Sequence, residues 1–290
     1  MPQTIRIPNA VQIAMAGDWG TGDWRTAANP APSTDVQNHM AFLQPHLTIH
    51  LGVVYYAGTG DQEKHLLVDL WPKGSLGALT LNSNHEMYSG AKPYFEEALG
   101  SSLFGIQQGR SFFALENDDW VIVGLDSAYY SDAEGLYMDG ALFQDGGPQL
   151  QLDFLKQQAA KSKKTIVLTH HNGLTEDGST TTNLWSQVMS ASPDGTAPAY
   201  WYWGHVHAGV VYQPRSQGTA NVLCRCCGHT PCRGVAPRSW RTTRISCGTS
   251  NASPRIRTFL SGCSTTPLPE RSGYQRSVLR RKRRRGMAVR

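Results

Sequence analysis

The octapeptide Tyr200-Trp201-Tyr202-Trp203-Gly204-His205-Val206-His207 joins an aromatic run to a pair of histidines. Four successive aromatic residues suit a buried β-strand. Two histidines one residue apart at the end of such a strand can aim both imidazoles into one small space. Imidazole is a ligand for zinc, iron and manganese. A lone His-x-His pair is more often surface or core than a metal site, so the reading depends on the rest of the chain.

Working outward, polar groups recur just past other apolar segments. Val11–Ala16 is a short apolar strand that runs into Gly17-Asp18-Trp19-Gly20-Thr21-Gly22. An Asp after a strand in a glycine-rich turn either projects into a site at the carboxyl edge of a sheet or caps the turn. Leu47, Ile49 and Leu51 alternate as a second strand that ends in Gly52-Val53-Val54-Tyr55-Tyr56-Ala57-Gly58. Residues 76–81 form a third, followed by Asn82-Ser83-Asn84-His85-Glu86, and residues 165–169 lead to His170-His171-Asn172.

Helices are expected between these strands. Ser33 or Thr34 can N-cap a helix that carries Val36, Met40 and Leu43 on one face. Others fall around residues 62–70, 93–99 and 148–162 and over Asn183–Met189. Residues 111–115 and 120–125 read as a hairpin around Glu116-Asn117-Asp118-Asp119. Residues 129–147 are rich in Gly and Asp and read as a surface loop, and 209–213 as an antiparallel partner of the 200–203 strand. Strands alternating with helices over residues 10–210 predict an α/β sandwich whose helices cover the sheets.

The 290 residues, 40% hydrophobic and 17% charged, support one large or two small domains with a sizeable core. No apolar run approaches the roughly eighteen residues of a membrane span. The first residues, Met1-Pro2-Gln3-Thr4-Ile5-Arg6, carry no apolar stretch of the kind that directs export, which predicts a cytoplasmic chain. The net charge of +5 hides a split: residues 225–290 hold 16 Lys and Arg against one acid, Glu270, whereas residues 1–224 hold 11 against 21 acids. Cys224, Cys226, Cys227, Cys232, Cys247 and Cys263 all lie in the last third, in a spacing that matches no paired C-x2-C zinc site.

The order of motifs resembles the calcineurin-like metallophosphoesterases, and more narrowly their purple acid phosphatase branch. Gly17-Asp18-Trp19-Gly20 resembles the Gly-Asp-x-Gly motif of that branch. Gly52-Val53-Val54-Tyr55-Tyr56 stands in the place of Gly-Asp-x-x-Tyr, and Ser83-Asn84-His85-Glu86 in that of Gly-Asn-His-Glu. A single histidine, here His170, and then Gly204 to His207 complete the set. The resemblance covers roughly residues 10–229, including Cys226-Cys227-Gly228-His229. It implies a four-layer sandwich of two mixed β-sheets flanked by helices, over residues 1–229. It also implies a dinuclear centre of Fe, Mn or Zn that hydrolyses phosphomonoesters or phosphodiesters. By position the first metal takes Asp18, Tyr56 and His207, and the second takes Asn84, His170 and His205. His85 then stands beside the substrate phosphate as acid or, when protonated, as transition-state stabiliser, and Asp18 serves catalysis through its metal.

Three departures set further expectations. Val53 occupies the place of the family's bridging Asp and offers no donor atom, so each metal loses a ligand and two neighbouring cations lose the anion between them. That predicts weak binding of at least one metal and low turnover, or a pseudoenzyme of the same fold. Ser83 replaces a glycine, and a turn that needs φ > 0 would resist its Cβ. Residues 230–290 turn abruptly to Arg, Ser, Thr, Pro and Cys without periodic apolar pattern and end in Arg280-Arg281-Lys282-Arg283-Arg284-Arg285. They read as a disordered, non-native or frame-shifted tail. As native sequence they would make a non-specific binder of nucleic acid or another polyanion.

Overall fold

Among the described residues, thirteen strands, β1 to β13, make two mixed sheets. The computed structural model describes residues 2, 4–19, 31–192 and 197–228, together with the backbone of 243–247 and 257–258. The larger sheet runs β1 (Thr4–Arg6), β5 (Phe113–Glu116), β6 (Trp120–Gly124), β7 (Lys164–Leu168), β8 (Tyr200–Trp203), β11 (Ala220–Cys227) and β10 (Arg215–Gln217), with β9 (Gly209–Val211) also on β11. The smaller runs β13 (Arg257–Thr258), β12 (Thr243–Cys247), β2 (Val11–Ala16), β3 (Leu47–His50) and β4 (Gly77–Thr80). Strands β2, β3 and β4 are parallel, as are β6, β7, β8 and β11. All therefore deliver their carboxyl ends to one rim of their sheet.

The period of two along each strand sorts the core into three sheets of contact. Ile13, Met15, Leu47, Ile49 and Leu79 pack with Leu115, Ile122, Ile166, Leu168 and Tyr202, so the two β-sheets face each other. On the outer side of the smaller sheet, Ala14, Ala16 and Ala78 meet Val36, Met40, Leu67, Trp71 and Tyr94 of the covering helices. On the outer side of the larger one, Val121, Val123, Val167, Trp201 and Trp203 meet Leu152, Leu155, Trp185 and Val188. This is the α/β four-layer sandwich expected from the sequence. A buried Leu or Ile in the shared middle layer contributes roughly 1.5–3 kcal/mol.

Several local expectations are corrected. The first helix, Pro32–Phe42, starts earlier than a Ser33 or Thr34 cap would allow, with Ala31 as N-cap and Pro32 at the first helical position, where its missing N–H is harmless. Val36 and Met40 do face the core. The segment Gly209–Val211 pairs with β11 and not with the 200–203 strand, because β11 itself inserts beside β8 in parallel. Strand β11 escapes a sequence reading because its inward residues are Val222, Cys224 and Cys226, which look like the start of a cysteine-rich tail. Those two cysteines and Cys227 are buried. In the basic tail, β12 pairs antiparallel with β2 and β13 with β12. The remainder of the proposed tail, and Gly20 and His229 of the motifs, lie outside the described residues. No helix among the described residues is long and apolar enough to cross a membrane.

Candidate metal centre

Short backbone bonds lace the strand ends together. The Asp18 amide donates to Gly52 O (3.0 Å), Gly204 to His170 O (3.0 Å), and Gly17 to Cys227 O across the two sheets (3.1 Å). Asp18, Asn84, His170, His205 and His207 thereby lie at one rim.

His170 is fully buried, and its Nδ1 donates to the Leu51 carbonyl at 2.8 Å. Nε2 therefore carries the lone pair. It lies 3.0 Å from Asn84 Oδ1 and 3.2 Å from His205 Nδ1. The Asn84 Nδ2 donates to the Tyr88 hydroxyl (3.1 Å). Burial holds His170 far below the usual histidine range, and burial followed by the neighbouring His171 takes His205 down to about 2. Both rings are neutral at pH 7, so each keeps one ring nitrogen whose lone pair can ligate a metal. A cation here would draw on Asn84 Oδ1 and one lone pair from each ring. Bonds of about 2.0–2.1 Å to a shared zinc-like ion set neighbouring donors about 2.9–3.4 Å apart, which is the spacing found here. The donor set of one amide oxygen and two imidazoles fits a borderline transition metal.

His171 also lies in the cluster, its nearest nitrogen within 4.8 Å of the others. Both of its nitrogens are nonetheless engaged. Nε2 donates to Tyr137 O (2.8 Å), and Nδ1 accepts from the Ser127 hydroxyl (2.9 Å), which itself receives the His171 amide. No lone pair is left for a metal, so the preference for His170 over its neighbour has a physical basis.

The first set, Asp18, Tyr56 and His207, is organised differently. Asp18 is fully buried, and its carboxylate accepts the amides of His205 (2.9 Å) and His207 (3.2 Å). Both histidines have left-handed backbones, φ 66° and 51°, which turn their amides toward it. A Cβ at Gly228 would stand 2.0 Å from Asp18 Oδ2, so that position must remain glycine for the carboxylate to fit. Burial raises the Asp18 pKa, and His207 partly offsets this. Tyr56 is 59% exposed, and its ring contacts are Tyr55, His85 and Tyr88.

Val53, which stands in the motif place of the family's bridging Asp, is completely buried at φ 76° and offers only methyl groups. Ser83 corrects an expectation: it is extended, φ −138°, and its side chain caps the Asn84–Met87 turn by accepting the His85 amide. No left-handed turn opposes its Cβ. His85 donates from Nδ1 to Tyr56 O (2.6 Å), and burial lowers its pKa. The resting ring is neutral, in contrast to the protonated form expected of a charge stabiliser.

Sequence reasoning missed the part that the loop after β6 takes in the site. Asp126-Ser127 follow β6 as the other polar pairs follow their strands, which was the available signal. Ser127 holds His171, and Tyr137 and Met138 lie beside the cluster: His171 Nε2 meets Tyr137 O, and Asn84 Nδ2 lies 3.6 Å from Met138 Sδ.

No protein-family model and no curated protein matches this sequence. Solved structures do match in shape. A dimetal phosphatase from Danio rerio superposes with TM-score 0.55 at 13% identity, over 82% of this chain and 93% of that one. The fold is metallophosphoesterase-like. Purple acid phosphatase PPD1 from yellow lupin (Lupinus luteus) seeds gives 0.55 at 12% identity, over 83% of this chain and half of that one. GAP50, described as the anchor in the inner membrane complex of Plasmodium, gives 0.54 at 11%, over 82% and 83%. At such identities the likeness is one of fold.

Proposed function

We propose that this chain is a metal-dependent phosphoesterase of the purple acid phosphatase type, with two unequal cation sites. The observation that carries the reading is the meeting of His170 Nε2, Asn84 Oδ1 and His205 Nδ1 at 3.0 and 3.2 Å, three atoms of ligand type at one point of the rim. These residues would hold one ion of Fe, Mn or Zn. Asp18, Tyr56 and His207 would hold a second more weakly, since Val53 supplies no bridge. When bound, such ions polarise a phosphoryl oxygen and bring the pKa of coordinated water toward about 7.

The chain's own groups supply the rest. Asn84 and His170 are pre-aligned by Tyr88 and by Leu51 O, so no side chain must reorganise to receive charge. His85, with Nδ1 committed to Tyr56 O, presents Nε2 as a proton acceptor at rest. An arriving phosphate dianion raises the proton affinity of that nitrogen and turns it into a donor toward the leaving oxygen.

A second reading, a pseudoenzyme, is favoured by the buried apolar Val53 at the bridging position. Metal analysis of the purified protein, with hydrolysis of 4-nitrophenyl phosphate and bis(4-nitrophenyl) phosphate, separates the two. Metal-dependent hydrolysis that vanishes in His170→Ala supports the enzyme. Bound metal with no turnover of either ester supports the pseudoenzyme, and a chain that takes up no metal refutes the metal centre altogether.

A further inference from the structure

The rim beside the ligand set is an aromatic wall. Tyr55, Tyr56 and Tyr88 surround His85 with ring centroids 5.5, 5.8 and 5.2 Å away, Tyr56 lies 6.1 Å from Tyr88, and Tyr88 lies 6.3 Å from Tyr137. Apolar surface is left open here: Tyr56 is 59% exposed, Leu136 64% and Met138 49%.

This wall is fastened to the metal ligands. Asn84 donates to the Tyr88 hydroxyl and touches Met138 Sδ, and His171 grips Tyr137 O. Leu136 and Tyr137 adopt successive left-handed conformations, φ 55° and 56°, although neither is glycine. Such strain persists where the surroundings over-determine it, and it clusters at ligand clamps. The side chains it places at the rim fill no core, so core packing does not explain it.

Charge narrows the ligand. Residues 129–147 contain Asp132, Glu134, Asp139 and Asp145 and no Lys or Arg. A leaving group with further phosphates meets like charge there, whereas a flat uncharged ring meets tyrosine faces and a thioether, both of which favour aromatic contact.

Building on the phosphoesterase reading, we propose that Tyr56, Tyr88, Tyr137 and Met138 form a leaving-group subsite for phosphomonoesters whose alcohol carries a flat aromatic ring. Aryl phosphates and nucleoside monophosphates share that chemistry.

The test is equilibrium binding to the full-length, zinc-loaded chain, read by tyrosine and tryptophan fluorescence and by calorimetry. The probes are phenyl phosphate, adenosine 5′-monophosphate, ribose 5-phosphate, glycerol 2-phosphate and inorganic phosphate. Ring-bearing esters should bind about three- to tenfold tighter than the ringless ones, the scale of one ring contact. Met138→Ala and Tyr137→Ala, which keep their backbone carbonyls, should bring ring-bearing and ringless esters to equal affinity. Tighter binding of the nucleotide than of phenyl phosphate identifies a nucleobase, and the reverse order identifies a phenol. Equal affinity for ringed and ringless esters, or a preference untouched by both variants, overturns the proposal. Phenol and adenosine are tried alone as well. Saturable binding of either that Met138→Ala removes, in a protein that ignores inorganic phosphate, sinks the phosphoesterase reading and keeps the ring site. If neither phosphate nor ring binds, both fall.

Discussion

Val53 gives its backbone N–H to the Ser83 hydroxyl at 3.1 Å, so the two residues that depart from the phosphatase motifs are in contact. The same hydroxyl accepts the His85 amide and donates to the Glu86 carboxylate. Glu86 in turn accepts the Val54 amide at 2.7 Å. The serine thus satisfies donors on both loops, and the two positions work as one local arrangement.

Ser83→Ala should therefore destabilise the protein although it removes a single oxygen. Two buried amides lose their acceptor, at about 1–3 kcal/mol each before relaxation. Urea unfolding should show a midpoint well below that of wild type with an unchanged slope. A loss under about 0.5 kcal/mol would mean that the hydroxyl is not needed as an acceptor.

Val53→Asp should make stability depend on metal. A β-branched residue at φ 76° carries strain of order 1–3 kcal/mol, which Asp relieves. Against this, an aspartate in that fully buried position has no partner until a cation arrives. The expected result is a variant less stable than wild type in chelator, with a larger rise in melting temperature on adding zinc or manganese and a metal content closer to two. A melting curve indifferent to metal would show that position 53 does not face the cations.

His170 and His171 should behave oppositely despite being neighbours. His170→Ala removes a donor and should abolish metal binding. His171→Gln removes only a group that positions the loop, and should weaken binding by about 10–100-fold, as loss of outer partners does. Calorimetric zinc titration of both variants checks this. Equal loss in the two would make His171 a ligand.

His50 gives a pH signature apart from the metal ligands. It lies buried in β3 with Nδ1 2.9 Å from Thr80 Oγ1, its ring edge-on to Trp71, and burial lowers its pKa from 6.5 to about 3. Below pH 6.5 the unfolded chain takes up a proton that the native chain refuses. This residue therefore leaves stability intact above pH 6.5 and removes up to about 1.4 kcal/mol per pH unit as the pH falls toward 3. His50→Asn, which keeps a polar group beside Thr80, should gain on wild type by about 3 kcal/mol between pH 7.5 and 4. Parallel pH profiles would show that His50 is protonated in the native state.

The strand ends were legible because each apolar run stops at a polar residue that the core cannot use: Ala16 before Gly17-Asp18, Leu81 before Asn82, Thr169 before His170. Parallel strands then oblige those residues to share a rim. Three things were hidden. Partner choice among strands depends on tertiary packing, so β9 was assigned to β8 when β11 intervenes. The conformation of Ser83 depends on what its hydroxyl caps, which the residue type alone leaves open. The closeness of Tyr137 and Met138 to the ligands rests on contacts such as His171 to Tyr137 O, made across 34 residues by a segment with no periodic pattern.

The paired left-handed histidines have one more consequence. With Asp18 replaced by glycine, the amides of His205 and His207 would keep pointing into the slot that its carboxylate filled, walled by Gly204 and Gly228. Two convergent amides form a concavity suited to small anions. An Asp18→Gly chain should accordingly be rescued in part by formate or chloride, turning a covalently tethered counter-charge into one supplied by the buffer.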